Sequence, residues 1–275
     1  MPVILRKTAR HGPIASYYEF ATNTHYRNLE RKESLMKLAV VAAIGSYTPA
    51  DLEHKKQSLR AVLRPDTQLD MYAADSGVPY VESSMDFYMS EVAVARKIVE
   101  VARQGYDAIV GSAFLDNGLD AARELVDIPV VGPAKTTLYM AATLAHKFAV
   151  ITAAGDLPRH IWAFAKVIGV VDRIVGIRTL ECTVADFLRD EENSVAMMVT
   201  MGRRLMADEG AEALVLGCGA STGLAKRVSR ELSIPVIDPG VTAVKYAEML
   251  VDLGLSQSKR AYPYNPRVMR MLAGL

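Results

Sequence analysis

From Lys37 almost to the carboxyl terminus, short apolar runs alternate with longer stretches of helical periodicity, and this alternation confines the chain to a parallel α/β architecture. The runs Leu38 to Ile44, Gln68 to Ala73, Ala108 to Ser112, Pro129 to Val131, Phe148 to Thr152, Arg173 to Arg178, Ala213 to Gly217 and Pro235 to Ile237 read as strands. Helical patterns fill the gaps, at Asp51 to Leu63, Glu91 to Arg103, Leu119 to Leu125, Ala134 to Ala145, Pro158 to Ile168, Ser194 to Glu209, Leu224 to Leu232 and Val241 to Leu253. Strands that are apolar along their length, rather than at every second residue, are buried on both faces by such helices. With 51% hydrophobic residues among 275, the chain can fill one large or two ordinary cores.

The alternation also repeats. Sliding the sequence by 105 positions lays Ala108, Val110, Gly118 and Leu119 on Ala213, Val215, Gly223 and Leu224. One further residue of offset matches Ile128-Pro129-Val130 with Ile234-Pro235-Val236, and Pro133, Thr136 and Ala141 with Pro239, Thr242 and Ala247. Two similar halves are expected, 37–145 and 146–255, related by a pseudo-twofold axis with equivalent strand ends facing one cleft. Residues 1–35 carry six basic residues and four aromatics but no strong period, and read as a peripheral extension before a domain that opens at Met36. Residues 256–275 read as a tail packing back on the core, where Lys259, Arg260 and Tyr262 face either an anionic ligand or solvent.

Within the second half, ALVLGCGASTGL, residues 213–224, places Cys218 at the end of an apolar strand and ahead of a helix. Ligands of α/β sheets bind in the crevice outside such strand ends, and a following helix N-terminus favours an anion. Cys218 is therefore the first candidate for a reactive group. A free thiol ionises near pH 8.5, so a helix N-terminus can make it a usable base. The other cysteine, Cys182, ends a second-half strand and reads mainly as packing; two cysteines this far apart suit neither a disulfide framework nor CxxC chemistry.

Several function classes drop out. Formal net charge is +1, from 32 basic and 31 acidic residues, so no overall field recommends a nucleic acid partner. No apolar run approaches the roughly 20 residues of a membrane span, and the amino terminus lacks a signal-peptide core. A cytoplasmic protein without membrane contact is the expectation. No GxGxxG, Walker loop, HExxH or His/Cys cluster appears, so neither cofactor nor metal is expected.

The runs AIVGSAFLDNGLDAARELVDIPVVG and ALVLGCGASTGLAKRVSRELSIPVIDPGVTAVKYAEMLVDLGL, followed by SQSKRAY, resemble the aspartate/glutamate/hydantoin racemase superfamily. The hydantoin and allantoin racemase branch is the most similar, over about residues 37–264. The resemblance implies two pseudo-symmetric α/β domains, often in a homo-oligomer, with the active site between them. It also implies cofactor-free proton transfer at the carbon of a small carboxylate or carbonyl compound, by one cysteine from each half on opposite faces. Such chemistry needs a base near the carbon and hydrogen-bond donors at the enolate oxygens.

The family's first cysteine falls on Ala113 here, within Ser112-Ala113-Phe114-Leu115-Asp116. Three functions stay open. Ser112 or Asp116 replaces the missing acid in a racemase; or Cys218 alone protonates an enediolate after carbon dioxide leaves, as in the similar arylmalonate decarboxylases; or the cleft only binds a ligand. Ala113 and Phe114 would shape the vacated side, and Gly217 and Gly219 the thiol side. Thr48, the one residue that aligns with the family's carboxylate-gripping loop after the first strand, is a candidate substrate ligand. Thr152, Ser221 and Thr222 are further candidates, with helix capping as their alternative. His160 lies just beyond a strand-end loop and reads mainly as helix surface.

Overall fold

The computed structural model describes residues 35–153 and 155–273. The expected extension at 1–35 therefore lies outside the described residues, apart from Leu35. Eight strands form two four-stranded parallel sheets. The first holds β1 (Met36–Ala42), β2 (Thr67–Ala73), β3 (Ala108–Gly111) and β4 (Val130–Val131) in the order β2-β1-β3-β4. The second holds β5 (Phe148–Thr152), β6 (Ile174–Thr179), β7 (Ala213–Leu216) and β8 (Val236–Ile237) in the order β6-β5-β7-β8. The two orders are the same topology written twice, as the internal repeat requires. β3 and β7, the strands matched by the 105-residue offset, occupy equivalent places.

Among the described residues ten helices connect and cover the sheets: α1 (Pro49–Arg60), α2 (Ser84–Ala102), α3 (Leu119–Arg123), α4 (Pro133–Leu144), α5 (Leu157–Val167), α6 (Val184–Arg189), α7 (Glu191–Glu209), α8 (Ala225–Leu232), α9 (Pro239–Asp252) and α10 (Pro266–Ala273). Two of them, α6 and α10, have no counterpart among the periodic stretches. The helix expected from Glu91 begins at Ser84 instead. Its start is set by a capping box in which Ser83 and Asp86 satisfy each other's backbone N–H groups.

Each sheet is apolar on both faces. In the first, Ala39, Val41, Ile109 and Val130 pack against Val94 and Ile98 of α2 and Leu119 of α3. The opposite face, with Leu38, Val40, Val110 and Val131, is covered by Leu59 of α1 and by Ala243, Val244, Ala247 and Leu250 of α9. In the second sheet, Ile151, Leu214 and Leu216 meet Met198 and Leu205 of α7 and Val228 of α8. Its other face, with Phe148, Val150 and Val215, is covered by Ala134, Leu138 and Ala141 of α4 and by Ile161 of α5.

The covering helices are thus exchanged. α4 follows the first sheet in the chain and covers the second; α9 follows the second and covers the first. α4 and α9 also pack on each other. Burying a Leu, Ile or Val side chain stabilises by about 1.5 to 3 kcal/mol, so separating the two sheets would expose several such side chains at once. The tail lies along the first sheet's edge: Ser256 donates to Asp127 O, Gln257 accepts from Val130 N–H, and Lys259 donates to the carbonyls of Arg123 and Val126. Lys259 is thereby spent on the end of α3 and the residues beyond it.

Candidate active site

The loops that leave β3 and β7 meet between the sheets. Cys218 follows β7 in extended backbone and leads into a single 3-10 turn, Gly219–Ser221. A side chain at Gly219 would fall 2.3 Å from the carbonyl oxygen of Ser112, so the two loops approach too closely for anything but glycine. Gly217 is constrained less severely: a Cβ there would lie 2.7 Å from Val150 Cγ1, a side-chain methyl. Its N–H donates to Ile151 O at 2.7 Å and prolongs the β5–β7 ladder up to the thiol.

The carbonyls of Gly217, Cys218 and Gly219 are each held. Thr152 Oγ1 donates to Gly217 O at 3.0 Å, Ser221 Oγ to Cys218 O at 2.6 Å, and Thr222 Oγ1 to Gly219 O at 3.0 Å. Lys55 of α1 reaches across to donate to Gly219 O at 3.0 Å, and its ammonium lies 5.1 Å from the centre of the Tyr47 ring. The hydroxyls expected as substrate ligands are therefore engaged with the loop that carries the thiol. Thr48 is likewise engaged, as the N-cap of α1 in a capping box with Asp51.

Beside Cys218 lies a cavity of about 70 Å³. Ser112, Ala113 and Phe114 line it from the first half, and Gly217 to Ala220 from the second. Tyr47, Tyr80, Val81, Leu115, Asn117 and Leu157 are among the residues that complete it. Tyr47, Tyr80 and Ala220 also border a larger space of about 350 Å³ between α1 and α6. The structure thus brings together Cys218, Ser112, Ala113, Phe114, Gly217 and Gly219.

Asp116 does not line this cavity. Its two carboxylate oxygens accept from Ala134 N–H at 2.8 Å and Lys135 N–H at 3.2 Å, at the start of α4. Burial pushes it up from 3.8 to about 6, against the pull of Arg123, the two amides and Lys135. Cys182 hangs on Ala153 O at 3.8 Å, outside the cavity lining, with burial raising its thiol. His160 stacks on Phe87 with Nε2 3.0 Å from Ser84 Oγ, and belongs to the α2–α5 contact.

Burial also pushes the Cys218 thiol up, opposed by the Ala220 N–H, the Lys55 charge and the Ala153 N–H. Those same groups are the ones that would receive a negative sulfur. Burial raises the Tyr47 hydroxyl too, although Lys55 works against it. Lys55, Tyr80 and Asn117 had no local sequence signature, since their relation to Cys218 exists only after the halves are assembled. Among the described residues no cluster of three or more His, Cys, Asp or Glu is placed to hold a metal, and no helix is long and apolar enough to cross a membrane.

Known proteins match the chain in sequence and in fold. Hydantoin racemase of Pseudomonas sp. strain NS671 is 37% identical over 214 residues, covering 78% of this chain and 85% of that protein. Allantoin racemase from Klebsiella pneumoniae superposes with a TM-score of 0.79 at 30% identity, over 84% of this chain and 94% of that one. Arylmalonate decarboxylase shares the fold, with a TM-score of 0.57 at 19% identity over 78% of this chain and 92% of that one. The family model described as Asp/Glu/Hydantoin racemase matches residues 52–247, and the chain belongs to that family.

Proposed function

We propose that the protein is a cofactor-independent racemase or isomerase that moves a proton on and off the carbon alpha to a carbonyl or carboxylate, with Cys218 as the acid/base. The observation that carries this is the placement of Cys218. It lines a cavity where the loops after β3 and β7 meet, beside two backbone N–H groups and a lysine that can stabilise its thiolate. As base, the thiolate takes the alpha proton, an S–H bond forms, and the C–H electron pair delocalises onto the carbonyl oxygen as an enolate. Returning the proton from the same sulfur restores the original configuration. Inversion needs a donor on the side where Ala113 stands. Of the two stand-ins read from the sequence, Ser112 lines the cavity and Asp116 caps α4.

Ala113 itself favours a second function, decarboxylation. There the C–C bond to a carboxylate breaks, carbon dioxide leaves without the bonding pair, and the thiol protonates the resulting enediolate from one side. A thiol raised by burial is already protonated at neutral pH and suits that role. In the racemase the thiolate is the working form, so the rate rises with pH above neutral. In the decarboxylase the thiol is the working form, so the rate stays level from neutral pH and falls only as the pH approaches the raised thiol value. The deciding experiment incubates single enantiomers of 5-substituted hydantoins, and separately aryl-substituted malonates, in deuterated water from pH 6.5 to 9.5. Proton NMR and chiral chromatography follow the products. Deuterium uptake with inversion is expected for hydantoins, rising with pH, and Cys218→Ala should lose at least about 100-fold. Full activity in Cys218→Ala would remove the assignment.

A further inference from the structure

Asn117 is 2% exposed and lines the Cys218 cavity. It sits between two residues in left-handed backbone, Asp116 (φ 56°) and Gly118 (φ 70°). Gly118 packs so tightly on α2 that a Cβ there would lie 2.1 Å from Glu91 O. The loop is therefore fixed against the helix, and the Asn117 side chain with it.

Its amide orientation follows from hydrogen-bond accounting. Ser90 Oγ donates its one proton to Phe87 O at 2.8 Å. It can then only accept from its other neighbour, so the Asn117 group 2.7 Å away must be the NH2. Asn117 Oδ1 is thereby left as the free end, buried and without a hydrogen-bond partner. A buried carbonyl oxygen without a donor is a cost that a fold ordinarily avoids.

We infer that Asn117 is a specificity-determining residue whose Oδ1 accepts a hydrogen bond from a substrate N–H. This rests on the carbon-acid reading of the same cavity. It also narrows the substrate class. Val81, Phe114, Leu115 and Leu157 around the cavity offer no charge to a carboxylate, and Oδ1 would repel one. The part of the substrate that meets Asn117 is an amide-type N–H next to a carbonyl, as in a cyclic ureide or an N-acyl group. A dicarboxylate such as a malonate does not satisfy it.

The test titrates the intact protein by NMR with 5-methylhydantoin and with its N1-methyl and N3-methyl derivatives. Wild type should prefer the parent over at least one derivative. Asn117→Leu, which keeps the bulk and removes the acceptor, should weaken the parent by about 10-fold or more and leave the disfavoured derivative within about twofold. Equal binding of the parent by wild type and Asn117→Leu would overturn the inference, since a purely steric preference survives that change. So would equal binding of all three probes by wild type, or binding of none. Should Asn117→Leu fail to fold, the carboxamide ¹³C shift of Asn117 in wild type decides. It should move with the parent and stay with the disfavoured derivative, and a shift that ignores the difference counts against the inference. Deuterium exchange at C5 is recorded in parallel. N–H discrimination without exchange would defeat the catalytic reading and leave Asn117 as a binding determinant.

Discussion

Asp116 and Asp238 illustrate how the two halves reach one local solution with different residues. Asp116, in the loop after β3, turns its carboxylate onto the first N–H groups of α4. Gly132 is bare there, because a Cβ would meet that carboxylate at 2.1 Å. After β8 the carboxylate comes from the other segment: Asp238 accepts from Val241 N–H at 3.0 Å and from Gly223 N–H at 2.6 Å. Both carboxylates serve the start of the helix that crosses to the opposite sheet. Asp116 is raised to about 6 from 3.8 by burial, so the native state holds this proton more tightly than the unfolded chain does. Its contribution to stability is full below about pH 3.8 and is lost as pH rises through about 6, on the order of 3 kcal/mol. Asp116→Asn, which mimics the neutral acid, should flatten that part of the stability profile, as read by urea unfolding between pH 4 and 7. If Asp116 is a cap, the variant also keeps wild-type deuterium exchange within a few-fold; a loss beyond about 100-fold would return Asp116 to the proton-transfer chemistry. In the sequence, Asp116 is a carboxylate three residues past the position of a missing thiol. Which way it turns depends on where α4 begins in space, and no local pattern records that. The Cys218 placement was legible because a strand end and the flanking glycines are local features. Thr152, Ser221 and Thr222, expected as substrate ligands or helix caps, donate instead to the carbonyls of the thiol loop, a role that depends on how that loop folds back.

At the scale of elements, the eight strands were readable because each is a compact apolar run, and periodicity marked the longer helices. Periodicity shows that a helix has an apolar face, but not which sheet that face will cover. The exchange of α4 and α9 was hidden for that reason; α6 and α10 also went unread, although α3 and α8, which are no longer than α10, were found. Glu248 shows what fastens α9 to the foreign sheet. It is 2% exposed; Oε1 accepts from Thr67 Oγ1 at 2.6 Å and Arg64 N–H at 3.0 Å, and Oε2 from Lys245 at 2.5 Å. Burial alone would raise this carboxyl, but the hydrogen bonds from Lys245, Thr67 and the Arg64 N–H outweigh it and hold it below its usual 4.5. A depressed carboxylate stabilises the fold above its unfolded value and loses that contribution as pH falls through the folded one. Glu248→Gln has one oxygen where the structure uses two, and should cost about 2 kcal/mol at pH 7. The difference from wild type should shrink below pH 4. Urea unfolding at the two pH values checks both statements, and an equal deficit at pH 3 would mean that packing, not charge, carries the effect.

Across the whole molecule, duplicated topology makes the ends of β3 and β7 equivalent, and the contact of Gly219 with Ser112 O presses their loops together. A substrate held beside Cys218 in this cavity also meets Ala113. The asymmetry is chemical rather than architectural: one loop carries a thiol, with Lys55 and two amides to support its charge, and the other carries a methyl group. Ala113→Cys tests whether that asymmetry limits the reaction. The site is partly open and adjoins the cavity, so one sulfur can replace a methyl hydrogen without a backbone change. If Cys218 acts from one face, wild type should exchange the alpha proton for deuterium faster than it inverts the centre. The added thiol should then raise inversion by about 10-fold or more while exchange changes less, because proton donation from the second face is what it supplies. In the double variant Ala113→Cys with Cys218→Ala, the remaining thiol lacks the Ala220 and Ala153 amides, so inversion should fall below wild type. Inversion that is unchanged in Ala113→Cys would mean that the wild-type cavity already holds a competent second acid, and Ser112 would be the first residue to replace.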